Sequence, residues 1–180
     1  MMARRARNLL LAAAVVLSLL CVGGLALGLT RYLPLRQAEA RRLWAERGPR
    51  HYEIDLSWAA GWNYGAARVE MRDGRLVRAL DLQTGAPLPD HRRFAAGFYA
   101  NVDNLFAVID QELRPAPSWR GQLARYHPLL AEWIDRCAAQ MPDVAYDRAL
   151  GFPTRISYRG TPCVNGENLS LSVYRLQPLP

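Results

Sequence analysis

Ala67-Arg68-Val69-Glu70-Met71-Arg72-Asp73-Gly74-Arg75-Leu76-Val77-Arg78-Ala79-Leu80-Asp81-Leu82 decides the fold. Ala67, Val69 and Met71 alternate with Arg68, Glu70 and Arg72, the period of a strand with one buried face. Asp73-Gly74 then supplies the two positive-φ positions of a tight hairpin turn, and Leu76 to Leu82 runs back as the partner strand. Upstream, Tyr52, Ile54, Leu56 and Trp58 alternate with Glu53, Asp55 and Ser57, a further half-buried strand over 51–58. Downstream, Gly85 to Pro89 interrupts the pattern with two prolines that cannot donate to a ladder.

Farther out the period changes. Asn101 is placed to cap a helix in which Val102, Leu105, Phe106, Ile109 and Leu113 recur at spacings of three and four, one apolar stripe that needs a sheet to cover it. This helix ends before Pro115. A second helical region follows Ser118, with Leu123, Tyr126, Leu130, Trp133, Ile134 and Cys137 at helical spacing, a break at Pro128 and a stop at Pro142. Strand patterns then return at Val144 and Tyr146, at Thr154, Ile156 and Tyr158, and at Leu169, Leu171 and Val173. Strands, a helical middle and strands again predict an α+β fold: an antiparallel sheet of about five to six strands with helices packed on one face.

Ahead of this domain lies a different kind of sequence. Leu9 to Leu29 is 21 residues without a charge, interrupted only by Ser18 and glycines. That is long enough to cross a hydrocarbon core of about 30 Å as a helix. Arg4, Arg5 and Arg7 precede it as a positive n-region, which suits a retained signal anchor or a cleaved signal, and Ala26-Leu27-Gly28 is a small-x-small triplet where cleavage would fall. Three units follow: a membrane anchor or signal over 1–30, a basic juxtamembrane helix over 31–50, and a single domain over 51–180 with a helical insertion at about 115–141. The expected partner of residues 9–29 is the membrane, crossed once. The basic n-region places the N-terminus inside and the domain on the extracytoplasmic side.

Charge excludes one function class. All 23 basic residues are arginine, and the excess of seven lies wholly in residues 1–50; from His51 to Pro180, 14 arginines meet 14 acidic residues. A neutral domain is no polyanion binder, so no nucleic-acid partner is expected, and the arginines beside the apolar stretch suit anionic headgroups instead. Cys137 and Cys163 form either a disulfide or two buried thiols; Cys21 lies in the apolar stretch.

Chemistry-bearing motifs are missing. His51, His91 and His127 stand alone, without a second ligand at metal spacing, and neither a phosphate-cradling loop nor a nucleophile elbow occurs. No metal or cofactor is expected. Gly151-Phe152-Pro153-Thr154-Arg155 reads as a structural turn that sends Phe152 and Ile156 inward, and Asp147 as a turn carboxylate. The one functional patch is aromatic: Trp58, Trp62, Tyr64, Phe98 and Tyr99, at loops or strand ends, where rings bury large area at small entropic cost. If loops 59–65 and 94–100 meet on one edge, they form a contact surface. The expected function is therefore non-enzymatic binding of a protein or envelope component by a membrane-tethered module. The alternatives are a hydrolase-like enzyme whose site is assembled by folding, and a structural assembly subunit.

Taken in order, Trp44 and Tyr52, Val69 to Val77, Val102-Asp103-Asn104-Leu105-Phe106-Ala107-Val108-Ile109, Val144-Ala145-Tyr146-Asp147 and Gly151-Phe152-Pro153-Thr154-Arg155-Ile156 resemble the domain of unknown function 6174 family. That resemblance covers most of residues 44–160 and implies a secreted or membrane-anchored bacterial α+β domain, with no activity or catalytic residues to carry over. Two features depart from the family. Its Cys-x-Cys near the end of the first strand is replaced by Ser57-Trp58-Ala59-Ala60-Gly61, and Pro115 to Met141 resembles an insertion.

Overall fold

The computed structural model describes residues 17, 32–114, 118–126, 141–159 and 168–180. The chain divides into two units, Met1–Arg36 and Gln37–Pro180. In the first, the described residues are helical, and Arg36 stacks its guanidinium over the Tyr32 ring at 5.5 Å. Apart from Leu17, the apolar stretch Leu9 to Leu29 lies outside the described residues, and among those described no helix is long and apolar enough to cross a membrane.

The second unit opens with helix α1 over 37–47 and continues as β1 (His51–Ala60), β2 (Asn63–Arg72), β3 (Arg75–Asp81), α2 (Asp90–Ala100), α3 (Val102–Leu113), α4 (Trp119–Tyr126), β4 (Asp143–Tyr146), β5 (Pro153–Tyr158) and β6 (Leu169–Pro178). The strands form one antiparallel sheet in the order β3-β2-β1-β6-β5-β4. Two three-strand meanders are thus joined through the central β1–β6 pair, so the last strand of the chain locks onto the first. The expected α+β fold is the observed one.

Alternation along the strands sets the layers. Tyr52, Ile54, Leu56, Trp58, Ala67, Val69, Met71, Ile156 and Leu171 are buried on the helix side with Leu105, Phe106 and Ile109 of α3. At the β2–β3 turn Asp73 (φ 48) and Gly74 (φ 73) both adopt the left-handed region, as the Asp-Gly pair requires. Asn101 caps α3 as expected, its side chain accepting from the Asp103 N–H at 3.0 Å, and its amide donates to the Gly74 carbonyl at 3.0 Å. One side chain therefore ties the hairpin turn to the start of the helix.

Two elements depart from expectation. Residues 94–100, read as a loop, belong to α2. Its buried face is built from Ala95, Ala96 and Ala100, too small to mark a hydrophobic stripe, while Phe94 and Phe98 point outward. Small residues are needed there because α2 lies close on the sheet: a Cβ at Gly97 would sit 3.1 Å from the Leu76 side chain. Residues 37–47 pack as part of the domain. Ala40 and Gln37 are buried, Gln37 donates to the Phe106 carbonyl at 3.3 Å and to Asp110 at 2.6 Å, and Trp44 meets Tyr52 and Phe152 edge-on at 5.7 and 6.4 Å.

Gly151 explains the Gly-Phe-Pro turn. With φ at +80 it adopts a conformation that suits glycine, and a Cβ there would lie 2.1 Å from the Ala40 carbonyl oxygen. Phe152 is buried, as expected, and Asp147 folds the turn by accepting from the Ala149 and Leu150 N–H groups at 2.9 and 2.7 Å. Beyond Tyr126 the expected helical region, with Leu130, Trp133, Ile134 and Cys137, lies outside the described residues, as does Cys163. What is described of that region is α4. Ser118 accepts from the Gly121 N–H at its start, and the Arg125 guanidinium covers the end of α3 by donating to the Glu112 and Arg114 carbonyls.

Candidate functional site

The five expected aromatic residues divide between the two sides of the sheet. Trp58 is buried at 2% exposure, and its ring lies over Gly65, where a Cβ would stand 2.7 Å away. Its indole N–H donates to Asn63 Oδ1 at 3.0 Å. From Trp58 a row of rings leads outward through Tyr99 (6.1 Å) to Phe98 (5.2 Å) on α2. Tyr64 pairs with Ala59 across the β1–β2 ladder, a position that alternates with buried Trp58 and so points away from the helices. Trp62 occupies the two-residue turn that Gly61 opens with φ 55. The structure thus brings Trp58, Tyr99 and Phe98 together and leaves Trp62 and Tyr64 projecting from the hairpin, 98% and 74% exposed.

The Arg92 guanidinium of α2 would lie 3.0 Å from a Cβ at Gly65, two residues beyond Asn63 at the base of the hairpin turn. Arg92 also reaches Asp81 at 3.6 Å. Phe94, 78% exposed, extends the patch on α2 one helical turn from Phe98. Sequence reasoning missed it because the helix was not recognised; the four-residue spacing of the two phenylalanines, opposite the alanines, was the available signal.

The open face of the sheet carries a lattice of charge. Arg68 forks onto Asp55 at 2.8 and 3.0 Å, and Arg175 reaches Glu53 at 2.9 Å and Asp55 at 3.4 Å. Arg78 lies 3.6 Å from Glu70. His51 bridges Glu70 (3.0 Å) and the Pro180 carbonyl (2.9 Å), so both ring nitrogens face acceptors. The hydrogen bond from His51 holds the Glu70 carboxyl below its ordinary value, with desolvation opposing and Arg78, His51 and Arg72 adding favourable charge. Among the described residues no group of three or more His, Cys, Asp or Glu side chains is arranged to hold a metal ion.

A concave feature was invisible in the sequence. A cleft of about 400 Å³ lies between α1 (Arg41, Trp44) with the segment after it (Arg50), the β2–β3 turn (Asp73, Gly74) and the start of α3 (Asn101, Asp103), with Tyr52 also lining it. Tyr52 is buried at 3% exposure. Its hydroxyl donates to the Ala100 carbonyl at 3.0 Å, and burial pushes its pKa up to about 12. Arg41 is drawn to Asp110 at 2.6 Å and lies over the Phe106 ring at 5.1 Å.

No curated protein and no solved structure matches the chain. A family match spans residues 36–122 and contains every residue that lines the cleft, Trp44, Tyr52, Asp73 and Asp103 among them. Residues 36–122 match the family of unknown function DUF6174.

Proposed function

We propose that this protein is a membrane-tethered binding module, non-enzymatic, whose domain lies on the extracytoplasmic side of a bacterial cell membrane and engages a protein or envelope component through the aromatic end of the domain. The observation that carries the reading is Trp62, 98% exposed at the tip of a tight hairpin. An indole held in water by a two-residue turn adds nothing to the core, and such rings serve as interface anchors when a partner covers them. Tyr64 on the same hairpin, and Phe94 and Phe98 on α2, supply further exposed ring area. The tether is argued from Leu9 to Leu29 and its flanking arginines.

Among the described residues the enzyme alternative finds one favourable contact, His51 with Glu70. That histidine already bridges two acceptors on the open sheet face, an arrangement that suits a structural clasp. The test is the double variant W62A/Y64A in the full chain. Its unfolding midpoint stays within about 2 °C of the parent, since exposed positions hold little stability, while recovery of the crosslinked partner falls at least about tenfold. Undiminished recovery refutes the assignment of this surface.

A further inference from the structure

We propose that the cleft between α1, the β2–β3 turn and the start of α3 binds a cationic group on an apolar stem, an ammonium or guanidinium of the kind a lysine or arginine side chain carries. Several polar groups around the cleft are already engaged. Of the donors around the cleft, Asn101 gives its amide to the Gly74 carbonyl and Arg41 is paired with Asp110. The start of α3, where an anion would otherwise be drawn, has its Asp103 N–H on Asn101 Oδ1 and its Leu105 N–H on the Asn101 carbonyl.

What remains is acceptor-rich. Asp73 and Asp103 line the cleft, and neither carboxylate has a described hydrogen bond or ion pair. The charged side chains of the lining balance, Arg41 and Arg50 against Asp73 and Asp103; with Arg41 drawn to Asp110 outside the lining, Arg50 is the cation left beside the two carboxylates. Trp44 and Tyr52 supply an aromatic wall, which accepts an apolar stem and favours a cation over a ring face. The volume of about 400 Å³ falls within the range of small-ligand sites, roughly 300–1,000 Å³. Every lining residue lies inside the family-matched segment, so this recess is a product of the part of the chain the family shares. The proposal is independent of the aromatic end and stands or falls separately.

The experiment titrates the ¹⁵N-labelled full chain in nanodiscs with four probes: the amides of Nα-acetyl-arginine, Nα-acetyl-lysine, Nα-acetyl-norleucine and Nα-acetyl-glutamate. The cationic probes shift the Trp44 indole N–H and the Gly74 and Asp103 amide resonances saturably, and their affinity falls with added salt. Norleucine and glutamate amides bind at least about tenfold more weakly. The variant D73N/D103N loses about tenfold for the cations, two exposed charge pairs at about two- to fivefold each. Asparagine tolerates the positive φ at residue 73, so the turn survives. Should the double variant unfold, D73N alone gives the same reading at about two- to fivefold. Equal or tighter binding of the neutral or anionic probe, unchanged affinity in a folded variant, or no saturable shift at these three groups overturns the proposal.

Discussion

Replacing Gly151 with alanine tests how the N-terminal helix is seated. Two separate costs arise. The backbone at φ +80 is a conformation that β-carbon-bearing residues occupy at about 1–2 kcal/mol. The new Cβ would also stand 2.1 Å from the Ala40 carbonyl oxygen and 2.8 Å from the Leu43 Cβ, so α1 must retreat by more than an ångström. Backbone shifts of that kind cost about 1–3 kcal/mol. Together they give about 2–5 kcal/mol, or about 6–15 °C in unfolding midpoint for a chain of this size. Gly85→Ala isolates the first cost, because Gly85 has φ +69 and nothing within 4 Å of an added Cβ. The assay is thermal unfolding followed by circular dichroism, with Trp44 fluorescence reporting whether α1 separates first. Gly151→Ala must be worse than Gly85→Ala by at least about 1 kcal/mol. Equal losses would mean that α1 does not press on this turn.

Two further outcomes concern titration. Tyr52 is raised from 10.0 to about 12, so folding favours its neutral form: the contribution is complete below pH 10 and is lost as pH rises from 10 toward 12. Tyr52→Phe should cost about 1–3 kcal/mol at neutral pH, by removing the hydrogen bond to the buried Ala100 carbonyl, and should remove that alkaline dependence in urea unfolding; a parent-like alkaline limb in the variant would contradict it. At the acid end, Glu70 is held low by His51, and Asp81 by the Thr84 N–H and then the Gln83 N–H and Thr84 hydroxyl, against the desolvation of each. Their contribution is complete above the ordinary values of 4.5 and 3.8 and is lost as pH falls through the lowered folded values. The urea midpoint should therefore drop below about pH 4.5, with a shallower drop in Glu70→Gln; an equal slope in that variant would refute the assigned pairing.

What could be read from the chain follows from how locally each feature is specified. The β2–β3 hairpin was legible because Asp73-Gly74 encodes its own backbone conformation, and α3 because Asn101 and a stripe of large residues mark its start and its face. The helix α2 was not, since its buried side is alanine while Phe94 and Phe98 face water, the reverse of the usual signal. Residues 37–47 looked like part of a basic collar; the arginines masked Gln37, Ala40 and Trp44, which lie on one side at spacings of three and four. The aromatic patch was half legible. The ladder pairs Trp58 with Gly65, so strand alternation alone sets Trp58 and Tyr64 on opposite faces. The cleft was beyond reach, because its lining comes from three segments that only the fold brings together.

The account rests on the aromatic end of the domain being covered by a partner, and site-resolved photocrosslinking in intact cells tests this most directly. A photoreactive residue is placed in turn at positions 62, 64 and 94, and at exposed Asp143 and Arg148 as controls. The account predicts one discrete adduct from 62, 64 and 94, missing from 143 and 148. Uniform labelling across all five positions, or adducts confined to the controls, would contradict it.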